Sequence, residues 1–210
     1  MAERSESSGR PEKRQAITRA ARKMFGQDGY TRASVDAIAA EAGVSKRTIY
    51  NHFADKEQLF LTVALEGARE VTAAIGQIMD RHLRKIVDLG QDLVDFTLDR
   101  VAAVADFPDH FALVRTIEAE AARIPPEILK AWTDVGPQTA HLRLAPYLRR
   151  IADSGLLDID DADTAAAHLT LLTITDWNQQ TFYGAVPLPH DEVTRMVTAG
   201  VQAFLRAYRP

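Results

Sequence analysis

Apolar residues recur at helical spacing along nearly the whole chain, and no stretch sustains the period-2 alternation of Val, Ile, Thr and aromatics that marks a strand. This periodicity restricts the 210 residues to an all-α fold of about nine helices. Ile17, Ala20, Ala21, Met24 and Phe25 form one stripe over 12–28, which Gly29 ends. A short helix after Ser34 carries Val35, Ile38, Ala39 and Ala42, and Gly43 stops it. A shorter one starts after Ser45. Asp55 with Gln58 resembles a capping box that opens a helix over about 56–80. Further helices are expected over 83–105, 109–122, 161–183 and 190–207, with breaks at Phe107-Pro108-Asp109, Ile124-Pro125-Pro126 and Gly136-Pro137. The last helix is the most regular, with Val193, Met196, Val197, Gly200, Val201, Phe204, Leu205 and Tyr208 on one stripe.

Composition removes several function classes. The chain has no cysteine, which excludes disulfides, thiolate zinc sites and a thiol nucleophile. No apolar run approaches the roughly 18 residues of a membrane span. Met1–Lys13 is polar and charged, unlike a secretory signal, so a cytoplasmic protein without membrane partners is expected. The net charge of −4 conceals an asymmetry. Residues 1–60 hold 11 Lys and Arg against 8 Asp and Glu, a small basic head on an acidic body.

The stretch Ser34–Phe53 has the requirements of a helix-turn-helix. Gly43 permits the positive φ of a sharp turn, Val44 can fill the gap between two helices, and Ser45 can cap the second. On a helical wheel Ile49 and Phe53 fall together and should dock the short helix, which is too short to stand alone in water. Arg47, Thr48 and Asn51 point the opposite way, with Tyr50 and His52 on the flanks and Lys46 able to reach outward along its stem. Arginine suits guanine O6 and N7, asparagine suits adenine, and the threonine methyl suits a thymine methyl. Tyr50 and His52 are suited to the phosphate backbone. Lys56 opposes its own helix dipole, which a phosphate bound at that helix end would explain; Thr31 and Ser34 are placed to do the same at the start of the second helix.

The runs Ala20–Thr31, Ile38-Ala39, Ala42–Ser45 and Thr48–Leu59 resemble the DNA-binding head of the TetR/AcrR family, with the Tyr-x-His-Phe-x-x-Lys-Glu run as the most specific part. From Phe111 to Gly184 the pattern is loosely similar to the AefR-like subgroup. The resemblance implies a homodimeric one-component repressor that leaves a palindromic double-stranded DNA operator when a small-molecule effector enters its C-terminal domain. It implies a flexible arm over 1–11, a DNA-binding domain over 12–55 and a ligand-binding and dimerisation domain over 56–210. Arg47 departs from the pattern, because many members carry glycine there, and this leaves the operator sequence open.

Helix 161–183 is apolar on more than one side, with Leu169 and Leu172 on one and Leu171, Ile174 and Phe182 around another. Such a helix is covered either by a second subunit, as the resemblance implies, or inside a monomeric core. Phe96, Phe107, Phe111, Trp132, Trp177, Phe182 and Tyr183 lie on segments able to enclose an effector. His110, Arg115, Glu118, Asp176, Asn178 and Gln179 are candidate polar anchors. Each aromatic can equally be plain core. Asp176 and Asn178 are the more suggestive residues, since burying them needs partners. No hydrolase, zincin, dinucleotide or Walker motif is present and the histidines are scattered, so neither an enzyme nor a metal or cofactor is expected. A helical enzyme, or a protein-interaction module without an operator, is the alternative.

Overall fold

A computed structural model of the chain describes residues 3–210, with side chains described from Arg10 onward. Its regular elements are helices: α1 (Glu3–Arg32), α2 (Val35–Glu41), α3 (Lys46–Tyr50), α4 (Lys56–Leu83), α5 (Leu89–Ala102), α6 (Pro108–Glu120), α7 (Pro126–Val135), α8 (Pro137–Asp153), α9 (Ala162–Thr170), α10 (Asp176–Thr181) and α11 (His190–Tyr208). The all-α expectation agrees with this. No strand occurs among the described residues, and none of their helices is long and apolar enough to cross a membrane.

Two expectations change in detail. The segment expected as an arm over 1–11 is helical from Glu3, and α1 runs through Pro11; Met1 and Ala2 lie outside the described residues. A proline removes one backbone hydrogen bond, and at an exposed position water can serve the freed carbonyl, so the helix tolerates it there. The continuous helix expected over 161–183 is interrupted between α9 and α10 by a π-helical segment, Leu171–Thr175. Widened turns of this kind carry no apolar-spacing signal of their own.

The chain packs into two compact units, one formed by residues up to Ala68 with Asp109–Trp132, the other by Arg69–Pro108 with Thr133–Pro210. The first unit therefore takes in the expected 12–55 head, the start of α4, most of α6 and part of α7. Its core holds Ile17, Phe25, Ile38, Ile49, Phe53, Phe60, Leu113 and Ile117, with Phe25 and Phe60 edge to face at 4.9 Å. The second unit is built around Phe96, Leu144, Leu148, Leu169, Trp177, Val197 and Phe204. There α11 approaches the π segment at Gly200, where an added Cβ would stand 2.8 Å from the carbonyl carbon of Leu172.

Candidate nucleic-acid interface

Helices α2 and α3 are each closed at their N-terminus by a serine. The Ser34 oxygen accepts from the Ala37 N–H and the Ser45 oxygen accepts from the Thr48 N–H, both at 3.1 Å. Between the helices Gly43 adopts φ 65°. A Cβ there would meet nothing within 4 Å, so backbone conformation rather than space selects glycine. Five residues of α3 cannot hold a helix unaided. Ile49 and Phe53, 1% and 2% exposed, hold it in place, and each buried side chain of this size contributes about 1.5–3 kcal/mol.

With that side buried, Arg47, Tyr50 and Asn51 stand exposed, while Thr48 and His52 are half-buried. The Thr48 hydroxyl lies 2.8 Å from that of Ser45, which leaves its methyl as the unengaged end. Lys46 is paired with Asp36 at 2.9 Å, an exposed ion pair that raises the ammonium pKa. The His52 imidazole pKa is pushed down, first by burial and then by the positive charges of Arg10, Arg14 and Lys13 on α1. The Arg14 guanidinium also lies over the Phe53 ring at 4.8 Å. Helix α1 thus adds a basic flank beside α3 that the expected arm did not foresee.

Of the residues expected at phosphates before each helix, Ser34 is an exposed cap, while Thr31 and Lys56 have protein partners. The Thr31 N–H and hydroxyl both donate to Glu120, at 2.8 and 2.7 Å. Lys56 donates to the Thr31 carbonyl at 3.2 Å and sits 5.0 Å from the centre of the Tyr30 ring. Burial lowers the Lys56 pKa, with Glu120 opposing that shift. The capping box expected at Asp55 is present in altered form. Asp55 accepts from the Gln58 N–H at 2.7 Å, and Gln58 reaches back to the Ala54 N–H, one residue earlier than the usual target. Glu120 was not foreseen, since 89 residues separate it from Thr31.

The expected effector residues divide between the units. His110, Phe111, Arg115 and Trp132 belong to the first unit; Phe96, Phe107, Asp176, Trp177, Asn178 and Phe182 belong to the second. Phe96 and Trp177 are core residues, at 0% and 6% exposure. Asp176 is exposed and accepts from Gln180 at 3.1 Å, so it is not the buried, partner-seeking acid that its apolar surroundings in sequence suggested. Phe182 follows α10 in the left-handed conformation and is 62% exposed. Asn178 is half-buried, and its backbone carbonyl accepts from the Tyr183 N–H at 3.0 Å. An open groove of about 600 Å³ runs along α5 and α11, with Val94, Leu98, Val201 and Leu205 as apolar lining and Arg206 and Arg209 among its polar groups. None of the expected effector residues lines it.

The family model for bacterial regulatory proteins of the tetR family matches residues 17–63, which contain α2, the turn and α3. The model for the C-terminal domain of AefR-like transcriptional repressors matches residues 91–210. The chain belongs to the TetR family. A curated relative, the HTH-type transcriptional repressor AcnR of Corynebacterium efficiens, is 29% identical over 168 residues, covering 78% of each chain. The crystal structure of a TetR-family regulator from Mesorhizobium loti superposes with a TM-score of 0.85 at 29% identity, covering 96% of this chain and 98% of the other. The flavonoid-responsive regulator FrrA gives a TM-score of 0.72 at 27% identity, covering 95% and 98%. Membership in the TetR family makes this chain a DNA-binding transcriptional regulator, and the exposed side of α3 is its candidate reading surface.

Proposed function

We propose that this TetR-family protein is a repressor that binds a palindromic operator as a homodimer and leaves it when a small molecule binds the C-terminal part. The observation that carries the reading is the two-sided α3, anchored through Ile49 and Phe53 and exposed at Arg47 and Asn51. In this reading Arg47 takes a guanine edge, Asn51 an adenine edge, and the Thr48 methyl a thymine methyl. Tyr50, His52 and Lys46 hold the phosphates, joined by Arg10 and Lys13 of α1. Ser34, Thr31 and Lys56 bind phosphate at the helix starts, which requires Thr31 to exchange Glu120 for the DNA. The domain roles follow: residues 12–55 read DNA, and 56–210 hold the effector and the dimer contact.

A single α3 touches too few base pairs for useful specificity, so the reading needs two copies on half-sites roughly 34–36 Å, or a multiple of that, apart. Leu171, Leu172, Phe182 and Val186, between 42% and 62% exposed, supply apolar surface for a second copy. Helix α4 starts at Lys56 in the first unit and continues through the second to Leu83. In this reading effector binding changes how α4 is held and thereby the half-site spacing. The name of AcnR supports repression. That of FrrA supports an aromatic effector.

Sedimentation of the full chain, alone and on a selected duplex, tests the assembly. The reading predicts two chains per duplex and a Leu171→Glu variant that stays folded but monomeric. A wild-type monomer bound singly to DNA contradicts it.

A further inference from the structure

The carboxylate of Glu120, at the end of α6, sits in a cradle of donors and positive charge. The Thr31 N–H and hydroxyl donate to the same oxygen at 2.8 and 2.7 Å, lengths typical of charge-assisted bonds. The Lys56 ammonium, bonded to the Thr31 carbonyl, interacts electrostatically with the same group. Burial alone would raise the Glu120 pKa, but the Thr31 bonds and the charges of Arg123 and Arg32 hold it below the usual range, so it is an anion at neutral pH. Two glycines of α1 make room for this arrangement. At Gly26 an added Cβ would stand 3.0 Å from the Ala112 Cβ of α6, and at Gly29, whose φ is 88°, it would collide with the other Glu120 carboxylate oxygen. All of these residues belong to the first unit.

A backbone N–H, a hydroxyl and an ammonium are also the groups that hold a nucleic-acid phosphate, and Thr31 and Lys56 are assigned that contact above. Each Thr31 proton serves one strong acceptor at a time, so carboxylate and phosphate exclude each other there. We propose that Glu120 is an intramolecular competitor for the operator phosphate: its carboxylate occupies the phosphate's place at Thr31 in the free protein and is displaced when DNA binds. This rests on the phosphate reading of Thr31 and deepens it, by naming the residue that holds operator affinity below what the reading surface could reach. The apparent Kd is the intrinsic one divided by the fraction of chains in which Thr31 is released.

The full-length wild type, Glu120→Gln and Glu120→Asp are titrated onto a selected operator duplex near physiological salt, following fluorescence anisotropy. Glutamine removes the charge. Aspartate keeps it on a stem one methylene shorter, which no longer reaches both Thr31 donors. Both variants are expected to bind about three- to tenfold more tightly than the wild type, although each loses a contact that stabilises the fold. A merely structural Glu120 would instead weaken binding when replaced, and unchanged or weaker binding by both variants would overturn the proposal. Tighter binding by Glu120→Gln alone would overturn it too, since that result reports the general charge of the head and not occupancy of Thr31. Thr31→Val in the Glu120→Gln background separates the two layers. A loss of about threefold or more there supports the phosphate contact; with that loss but no gain from the Glu120 variants, the competition fails and the Thr31 reading stands. No loss contradicts the Thr31 reading itself and removes the contact for which Glu120 would compete.

Discussion

Gly200→Ala sets two opposing effects against each other at one position of α11. In a helix interior alanine is favoured over glycine by about 1 kcal/mol. Here the new Cβ would overlap the Leu172 carbonyl oxygen, and would stand 2.8 Å from its carbon and 3.1 Å from Thr173 Cα. These are backbone atoms of the π segment, so no rotamer change relieves the overlap. Helix α11 and the segment must separate by about 1 Å, in the range where overpacking costs about 1–3 kcal/mol and sometimes more. That separation loosens Val197, Val201 and Phe204, which are at most 1% exposed. The clash outweighs the propensity gain, and a net loss of about 2 kcal/mol is expected. Trp177 lies in the same core, while Trp132 lies in the other. Urea unfolding followed by Trp177 fluorescence in a Trp132→Phe background should show a midpoint lower by roughly 1 M. A midpoint unchanged or raised would refute the argument that backbone contact, not helix propensity, selects glycine there.

Arg47→Ala should cost about 1–3 kcal/mol of operator binding and relax preference at one base pair of each half-site, whereas Lys56→Ala should weaken binding to all sequences and lower the salt slope by about one; fluorescence anisotropy on matched and mismatched duplexes separates them. For His52 the folded environment disfavours the imidazolium, so the free protein loses a little stability as pH falls through about 6.5. A DNA phosphate beside the ring raises that pKa again. Binding therefore takes up protons and strengthens as pH falls from about 7 to about 5.5, and His52→Gln should flatten this dependence. Burial pushes the Glu120 pKa up, but the two Thr31 donors together with the charges of Arg123 and Arg32 outweigh that and hold it below the usual range. Its contribution is present above about pH 4.3 and disappears as pH falls through the folded value. Glu120→Gln should cost about 1 kcal/mol or less at this exposed site, read by denaturant titration at neutral pH.

The DNA-binding half was legible because its constraints are local. A capping serine, a glycine at positive φ and two apolar residues four apart leave one way to place α3, and the turn at Gly43 and the anchors Ile49 and Phe53 follow from neighbours in sequence. What escaped depends on distance along the chain. Glu120 reaches Thr31 from 89 residues away, and Arg10, Arg14 and Lys13 act on His52 across the fold. The C-terminal helices show the limit most clearly. The regular stripe of α11 packs inward, with Val197, Val201 and Phe204 in the core of their own unit. Exposed apolar surface remains at Leu171 and Leu172, inside the π segment, and at Phe182 beyond α10; the segment's extra residue shifts the helical phase that spacing arguments assume. Aromatic residues likewise carry the same signal whether they fill a core or line a cavity, which is why Phe96 and Trp177 could not be assigned from sequence.

Selection of bound duplexes from a random pool near physiological salt, run in parallel on the wild type, Arg47→Ala and Asn51→Ala, tests the central claim most directly. The account predicts an inverted repeat for the wild type, with each variant losing discrimination at a different position within the half-site. No enrichment for the wild type, or one motif left unchanged by both substitutions, would contradict a reading surface on the exposed side of α3.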